Sequence, residues 1–520
     1  MKELVNVQNE DLAFILKRVD GFGGIHRLGM LFSTQQNHYF YDNGTGKVAQ
    51  LDSGEYRLFE WLYAKNHSHG YGELMDFLQC DDPVLVLSNV RSIVTQEHLL
   101  MAPFITVFMS PDHKENLDEV LDRGVRIITL ELTQQCNLRC DYCVYNESYG
   151  SERNFSSKDM TKETVKASID YIANYQGDEL AITFYGGEPL LRFDLIKYGV
   201  EYAQSTIKDK KITYSMTTNL TLMTKEMAEF FASVEGFGIT CSIDGPENVH
   251  DQYRKYPDGR GSFHDAMRGL RHLADAYDKE TFASIISFSM VFAPPYSAEK
   301  LSEIQSFFES LDWLPTSLNK HISYPSAGSV KDEIIDIQQQ YRHMPDTRNP
   351  LLSWVGAELT DGSDWDELFT KTFLTEALLP IHKRPLSHTP IQTYGFNGSC
   401  VPGSQRLYIC ADGGIKLCSM IHTCPMMGNI HDGLDREKVK EHYIDKYETE
   451  SVADCNDCWA FKICKVCYAG SYNACSFDID KKREKCNDAR SVTARALREY
   501  HEFLEKYPER MILFNEMTLG

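Results

Sequence analysis

Between residues 124 and 324, short apolar runs alternate with longer segments whose apolar residues recur at helical spacing. The apolar runs predict β-strands at Val125–Leu132, Leu180–Tyr185, Ile212–Thr218, Gly238–Ile243, Ala283–Phe292 and His321–Tyr324. The intervening segments predict helices near Lys158–Tyr175, Phe193–Ile207, Lys225–Val234, Phe263–Tyr277 and Ala298–Leu311. Regular alternation of this kind is typical of an α/β fold, in which parallel strands are joined by right-handed helical crossovers.

The flanking segments have other patterns. Residues 1–115 contain apolar runs at His38–Tyr41 and Lys47–Leu51 around a turn rich in Asn and Gly, which predict a β-hairpin. Asp52 or Ser53 is placed to cap the helix that follows. Residues 325–398 predict a bridge with helices at Asp332–Arg342 and Asp366–Leu379, and residues 491–520 predict a closing helix.

Composition limits the class of protein. The chain has 520 residues, of which 42% are hydrophobic, and a formal net charge of -22, which disfavours binding to nucleic acid. We find no apolar run long enough to span a membrane and no signal peptide at the N-terminus, so we expect a cytoplasmic protein with no membrane span. Fifteen cysteines in such a chain favour metal ligation over disulfides.

Three cysteines, Cys136, Cys140 and Cys143, follow directly after the first predicted strand. Their spacing lets one short loop supply three thiolates to a [4Fe–4S] cluster, which takes four ligands, so one iron is left open. A zinc site is the alternative, because zinc also binds cysteines separated by two residues.

The pattern Cys-x3-Cys-x2-Cys resembles the signature of radical SAM enzymes, in which S-adenosylmethionine (AdoMet) chelates the open iron. The resemblance implies a partial (β/α)6 barrel and a contact between Tyr142 and AdoMet. The second strand is followed by Gly186-Gly187-Glu188-Pro189, which resembles the GGEP motif that holds the methionine amino group. The alternative for this segment is a Gly-Gly turn with an acidic helix start.

Two further segments extend the resemblance. The third strand ends in Thr217-Thr-Asn219, where the family has a glycine in place of Leu220. The fourth strand ends in Ser242-Ile-Asp244-Gly-Pro, followed by a His-Asp-x-x-Arg segment that ends at Arg254. The resemblance implies that Thr217, Asn219, Ser242 and Arg254 contact AdoMet, with Arg254 on its carboxylate, and that Asp244 is a candidate catalytic carboxylate. The alternatives are a surface arginine for Arg254 and an Asx-turn for Asp244.

The C-terminal cysteines resemble those of the SPASM domain, with a predicted hairpin at Arg406–Ile409 and Ile415–Leu417. One departure is visible, because two residues rather than three separate the third and fourth cysteines of the Cys455 group, and Cys475 is an alternative for the fourth. The resemblance implies two auxiliary [4Fe–4S] clusters, one held by Cys455, Cys458, Cys464 and Cys486 and one by Cys400, Cys418 and Cys467. The second set leaves one iron open to a substrate thiolate, unless Cys410, Cys424 or Cys475 closes it. Structural zinc is again the alternative.

Taken together, the resemblance implies a winged-helix-like peptide-recognition domain at 1–115, a radical SAM barrel at 116–324, a bridge at 325–398, a SPASM domain at 399–490 and a closing helix. It also implies an enzyme that cleaves AdoMet with an electron from a flavodoxin or ferredoxin. The expected substrate is a ribosomally made precursor peptide, which receives a thioether or C–C cross-link. The alternatives are formylglycine formation in a sulfatase and a non-catalytic iron–sulfur redox or scaffold protein.

Overall fold

The computed structural model describes residues 9–64, 71–80, 82–105, 109–145, 155–295, 297–315, 318–323, 325, 378–392, 400–419 and 423–517. The predicted helix Asp332–Arg342 lies outside these residues, as does the predicted helix Asp366–Leu379 up to residue 377. Within the described residues, no helix is both long enough and apolar enough to cross a membrane.

The N-terminal unit is a small antiparallel sheet covered by helices. Its strands are β1 Gly29–Ser33, β2 His38–Asp42 and β3 Val48–Leu51, in that spatial order, so the predicted hairpin is confirmed and β1 was missed. The capping residue is Asp52: its carboxylate accepts from the Glu55 amide at 2.8 Å, and its own amide donates to the Glu55 carboxylate at 2.9 Å, as in a capping box. The helices are α1 Glu10–Gly21, α2 Ile25–Leu28, α3 Ser53–Ala64, α4 Tyr71–Leu78 and α5 Pro83–Gln96.

A second sheet forms the centre of the molecule. Its parallel strands are β4 Ile127–Thr133, β5 Glu179–Gly186, β6 Lys211–Thr218, β7 Phe237–Ser242, β8 Ile286–Val291 and β9 Asn319–Ser323, which lie side by side in chain order. The α/β fold with a parallel sheet is therefore confirmed. The helices before and between these strands are α6 Pro111–Lys114, α7 Leu117–Arg123, α8 Lys162–Ala173, α9 Phe193–Thr206, α10 Lys225–Ser233, α11 Glu247–Tyr253, α12 Phe263–Ala276, α13 Lys279–Ile285 and α14 Ala298–Glu309.

Side chains on the two faces of this sheet differ in polarity. Buried apolar residues such as Ile182, Met216 and Phe288 alternate with partly exposed residues, many of which carry hydroxyl groups. On the latter face, the Thr183 and Ser215 hydroxyls lie 2.9 Å apart. A strand with one face against helices and the other partly open gives this period-2 pattern. The open face is therefore polar and lined by small side chains.

One predicted strand is wrong at its start. Residues 283–285 belong to helix α13 rather than to the predicted strand Ala283–Phe292, and β8 begins at Ile286. The cause is a helix cap, because the Asp278 carboxylate accepts from the Thr281 amide at 2.9 Å.

The C-terminal cysteine segment contributes two strands to the central sheet. Strand β10 (Arg406–Ile409) pairs in parallel with β4, and β11 (Ile415–Lys416) pairs antiparallel with β10. Among the described residues the sheet thus has eight strands, with β10 beside the strand that precedes Cys136 and β11 beyond β10. The sequence analysis predicted this hairpin but not its pairing partner.

The remaining C-terminal elements are short apart from two helices, α17 (Lys446–Asn456) and α18 (Ile479–Lys506). They are α15 Leu379–His382, β12 Gly428–Asn429, β13 Gly433–Leu434, α16 Arg436–Lys438, α17 Lys446–Asn456, α18 Ile479–Lys506 and α19 Leu513–Glu516. A π-helical segment, Val439–Asp445, leads into α17. Helix α18 spans 28 residues and begins before Cys486, because the Asp478 side chain caps it by accepting from the amides of Asp480 and Lys481 at 3.2 Å.

Candidate functional site

The three-cysteine loop follows β4 and is held by backbone hydrogen bonds. The Arg139 amide donates to the Lys255 carbonyl at 2.7 Å, and the Asp141 amide donates to the Tyr253 carbonyl at 3.1 Å. These bonds fasten the loop to the segment that ends helix α11. The thiols of Cys136, Cys140 and Cys143 lie close enough to influence one another electrostatically, so the structure brings the predicted set together.

Burial controls the charge of these thiols. It raises the pKa of Cys136 to about 12, and it also raises the pKa of Cys140. The Cys136 and Cys140 thiols are therefore protonated when no metal is bound, and coordination displaces their protons. Three soft sulfur donors on one loop fit an iron–sulfur cluster with one open iron.

Gly186 and Gly187 lie against the backbone of the cysteine loop. A Cβ atom on Gly186, whose φ is +145°, would lie 2.3 Å from the Thr133 carbonyl oxygen, and one on Gly187 would lie 2.1 Å from the Gln135 carbonyl oxygen. The amides of Gly187 and Glu188 donate to these same carbonyls at 2.8 and 2.9 Å. Gly186 and Gly187 therefore allow the backbone after β5 to pack directly against the loop that carries Cys136.

Glu188 is fully buried at the end of β5. Its carboxylate accepts from the Thr218 hydroxyl at 2.7 Å, the Asn219 amide at 2.8 Å and the Leu190 amide at 3.1 Å. Burial raises the pKa of Glu188 to about 7, although these hydrogen bonds oppose the rise. Thr218, which the sequence analysis did not select, makes this contact, whereas the neighbouring Thr217 lies on the other face of the strand.

The segment after β6 connects Glu188 to the cysteine loop. The Asn219 side-chain amide donates to the Asn137 side chain at 3.0 Å and lies 3.8 Å from the Cys136 sulfur. Leu220, which stands where the family has glycine, has a φ of 65°. A left-handed backbone is costly for a branched side chain and favours glycine, so this departure is accommodated at a cost in strain.

Asp244 lies just past β7, beyond the buried Ser242, and forms an ion pair with Arg254. Two guanidinium nitrogens of Arg254 donate to its two carboxylate oxygens, each at 3.0 Å. The Val291 amide donates to Asp244 at 2.9 Å, and the Tyr142 hydroxyl donates to it as well. Burial works to raise the pKa of Asp244, but the adjacent Arg254 holds it below its ordinary value. Asp244 therefore holds both Arg254 and the loop residue Tyr142 in place.

The C-terminal cysteines fall into the two predicted groups. Cys455, at the end of α17, and Cys458 both lie near Cys464 and Cys486. In the second group, Cys467 lies near Cys400 and Cys418. The first group is half-buried, whereas Cys400 and Cys467 are exposed.

The three other cysteines of this region have different surroundings. Cys424 is buried and shares Tyr443 and Tyr472 as neighbours with Cys418 and Cys467. Cys410 is buried at the end of β10, where its amide donates to the Gly414 carbonyl at 2.9 Å. Cys475 is exposed in a turn. Of the three, Cys424 has the surroundings that best suit a fourth protein ligand.

The N-terminal hairpin turn contacts the loop that carries Cys455 and Cys458. The Asn43 side chain donates to the Cys458 carbonyl at 3.1 Å and accepts from the Lys462 amide at 3.2 Å. The Lys462 ammonium donates to the Gly44 carbonyl at 3.2 Å. No sequence pattern indicated this contact between segments more than 400 residues apart.

Comparison with known proteins shows what the central domain is similar to. Residues 130–307 match the family model of the Radical SAM superfamily. The chain is 27% identical over 317 residues to an uncharacterized protein of Methanocaldococcus jannaschii, a match that covers 61% of this chain and 92% of that protein.

Other relatives include a sulfatase-maturating enzyme and a cyclopropyl synthase. A serine-type anaerobic sulfatase-maturating enzyme of Bacteroides thetaiotaomicron is 31% identical over 34% of this chain and 41% of its own length. The radical SAM cyclopropyl synthase TigE of Paramaledivibacter caminithermalis is 29% identical over 34% of this chain and 39% of its own length. These two matches thus span under half of the relatives. The solved structure of anSMEcpe with bound AdoMet shares the fold, with a TM-score of 0.51 at 18% identity over 75% of this chain and 100% of that chain.

Proposed function

We propose that this protein is a radical SAM enzyme that reductively cleaves AdoMet and modifies a ribosomally made precursor peptide, by an intramolecular thioether or C–C cross-link. The observation that carries the proposal is the arrangement around the cysteine loop. This loop lies at the carboxyl ends of the parallel strands, where reactive groups of α/β barrels gather, and buried polar side chains from three neighbouring strand ends surround it. Those side chains are Glu188, Asn219, Asp244 and Arg254.

The chain's own residues provide a binding site for both cofactors. Cys136, Cys140 and Cys143 would hold a [4Fe–4S] cluster, and Glu188 would accept a hydrogen bond from the AdoMet ammonium group. When bound, the cluster and AdoMet would supply radical chemistry able to act on an unactivated C–H bond. The protein positions these groups and excludes water from them.

Glu188 is suited to this role by its burial. Its pKa of about 7 leaves the carboxyl group partly protonated near neutral pH. An arriving ammonium group favours the ionised form, so AdoMet binding would release a proton from Glu188. Arg254 keeps its remaining guanidinium nitrogen for the AdoMet carboxylate, because Asp244 engages the other two.

Two auxiliary [4Fe–4S] clusters are proposed for the C-terminal cysteine groups. The exposure of Cys400 and Cys467 supports an open iron in the second cluster, at which a substrate thiolate could bind. Replacing Cys410, Cys424 or Cys475 singly with Ala should then leave iron content and cross-linking nearly unchanged. Loss of that cluster in the Cys424 variant in particular would mean that the protein closes the site.

A peptide substrate is supported by the N-terminal sheet and by the relatives. Among the described residues, strand β3 pairs only with β2 and is an edge strand, and a surface cleft of about 450 Å³ lies beside it, between Gln36 and Ser53. A leader peptide could pair with such an edge through backbone hydrogen bonds. TigE is a cyclopropyl synthase, and a structure of anSMEcpe contains a bound peptide.

Two measurements test the proposal. The anaerobically reconstituted protein should form 5′-deoxyadenosine after reduction, and replacement of Cys136, Cys140 and Cys143 with Ala should abolish it. A short peptide encoded beside the gene, co-expressed with the enzyme, should lose two hydrogens by mass spectrometry if a cross-link forms. No 5′-deoxyadenosine from the reduced, iron-loaded protein would favour the redox or scaffold alternative.

Formylglycine formation is the second candidate, because the sulfatase-maturating enzyme of B. thetaiotaomicron is 31% identical to this chain over the matched segment. The two candidates differ in substrate. Conversion of a serine or cysteine in a sulfatase peptide would support the second candidate, and modification only of the neighbouring precursor would support the first.

A further inference from the structure

Lys482 is a buried lysine that faces the auxiliary cysteines. Its side chain lies on helix α18 and is almost fully buried, at 2% exposure. Its ammonium group donates to the Cys455 sulfur at 3.4 Å and lies 5.9 Å from the centre of the Tyr447 ring. Burial of an ammonium group is costly unless an anion compensates its charge. The thiolates of a loaded metal site would be such anions.

A second cation lies two helical turns further along the same face. Residues four apart on a helix are neighbours on one side, so Lys482, Cys486 and Arg490 form one row. The Arg490 guanidinium lies 4.0 Å from the Cys458 sulfur. Each cation therefore contacts a cysteine other than the one on its own helix.

The nearby carboxylate of Asp454 does not neutralise the charges of Lys482 and Arg490. Asp454 is the carboxylate that interacts with both cations, but its two oxygens already accept from Arg483 at 2.8 and 3.3 Å.

Positive charge beside a cluster changes its reduction potential. Four thiolates around a [4Fe–4S] core give a net negative charge, and uptake of one electron makes it more negative. A nearby cation and a hydrogen bond to sulfur stabilise the reduced form more than the oxidised form, so they raise the potential. A raised potential makes the cluster a better electron acceptor.

We propose that Lys482 and Arg490 set the reduction potential of the cluster held by Cys455, Cys458, Cys464 and Cys486, and keep it high enough to accept an electron. This proposal rests on the ligand set given under the proposed function. It does not depend on the peptide chemistry, because one electron from any reductant converts the oxidised cluster to the reduced one.

The test is a redox titration, followed by electron paramagnetic resonance, of the full-length, iron-loaded protein. Replacing Cys455 with Ala identifies the signal that belongs to this cluster. Lys482→Met keeps the length and removes the charge, Lys482→Arg keeps the charge, and Arg490→Met removes the second cation without altering a buried residue. Lys485→Met, at an exposed lysine on the same helix, is the matched control.

We expect a shift to more negative potential in Lys482→Met and a smaller one in Arg490→Met, with Lys482→Arg and Lys485→Met close to the unmodified protein. Iron content should stay the same in all four variants. If Lys482→Met loses the cluster, the Arg490→Met shift decides the question. Unchanged potentials, or equal shifts in Lys485→Met, would overturn the proposal, and so would iron content that does not depend on Cys455. A failed peptide assay alone would count only against the proposed function.

Discussion

The ion pair between Asp244 and Arg254 shows how one residue can organise a site without reacting in it. The Asp244 carboxylate accepts hydrogen bonds from Arg254, from Tyr142 in the cysteine loop and from the Val291 amide on β8. A carboxylate with donors at both oxygens is poorly placed to take a proton from a substrate. The geometry thus favours a positioning role for Asp244 over the catalytic role predicted from the sequence.

The ion pair leads to a prediction about stability. Asp244→Asn leaves the buried Arg254 charge without compensation, so we expect the free energy of unfolding to fall by about 3–5 kcal/mol. Denaturant titration measures this loss. Glu179→Gln is the control, because its pair with Lys211 is 71% exposed on both sides and should contribute about 1 kcal/mol or less. Equal effects of the two substitutions would contradict the positioning role.

Glu188 gives a prediction about pH. Its pKa rises from 4.5 in the unfolded chain to about 7 in the folded protein. The folded state therefore binds the proton more tightly, and the resulting stabilisation is present below pH 4.5 and is lost as pH rises to about 7. The loss should approach about 3 kcal/mol. Glu188→Gln should lack it, as measured by denaturant titration of the cofactor-free protein at several pH values. A variant with the same pH dependence as the unmodified protein would show that other groups cause it.

At the scale of elements, the cysteine loop is shaped by its neighbours. The Gly186–Gly187 turn after β5 packs on its backbone, and the segment after α11 holds its other side. The loop sequence supplies the thiols, while two separate elements fix where the thiols lie.

A single methyl group should therefore disturb the cluster. In Gly187→Ala the added Cβ would lie 2.1 Å from the Gln135 carbonyl oxygen and 3.1 Å from the Cys136 amide nitrogen. Because both neighbours are backbone atoms, the loop has to shift. We expect the iron content after reconstitution to fall by up to about four atoms of about twelve. Gly72→Ala, in a helix and with open space around the added atom, should keep all of its iron. Full iron content in Gly187→Ala would show that the loop tolerates the shift.

At the scale of the whole molecule, several contacts join the N-terminal unit to the auxiliary cysteine region, including those of the hairpin turn and of helix α18. The hairpin turn contacts the Cys458 loop through Asn43. Helix α18 carries Cys486 and, about 28 Å further along, Glu505. That carboxylate accepts from Thr34, Asn37 and Tyr39 at 2.7 to 2.8 Å. Deletion of residues 1–115 would remove these contacts together with the unit itself. Single substitutions therefore test the role of this unit more directly.

Asn43→Ala removes the two hydrogen bonds to the Cys458 loop. The buried Lys462 amide then loses its bond to Asn43, at a cost of about 1–3 kcal/mol, whereas the Cys458 carbonyl keeps its bond from the Phe461 amide at 3.4 Å. We expect faster release of iron to a chelator from the auxiliary site, with the Cys136 cluster unaffected, as followed by absorbance and by electron paramagnetic resonance. Asn174→Ala is the control, because Asn174 bonds only within its own exposed helix end. Identical release rates would show that the turn does not stabilise the site.

The sequence by itself determined the features that depend on neighbouring residues. The alternating strands and helices, the N-terminal hairpin and the spacing of Cys136, Cys140 and Cys143 are local patterns, and the structure contains each of them. Burial periodicity and loop length fix these patterns without reference to distant parts of the chain.

Features that depend on distant residues follow from the packing of the folded chain. Four features join segments that no short pattern relates. They are the pairing of β10 with β4, the hydrogen bond from Thr218 to Glu188, the contact of Asn43 with the Cys458 loop and the contact of the buried Lys482 with Cys455. Lys482 shows the reason clearly: in the sequence it is one charge among several on an amphipathic helix, and only packing against Cys455 and Tyr447 removes it from water. The proposed effect of its charge on the cluster depends on this packing, because the fold places cysteine thiols rather than water around the ammonium group.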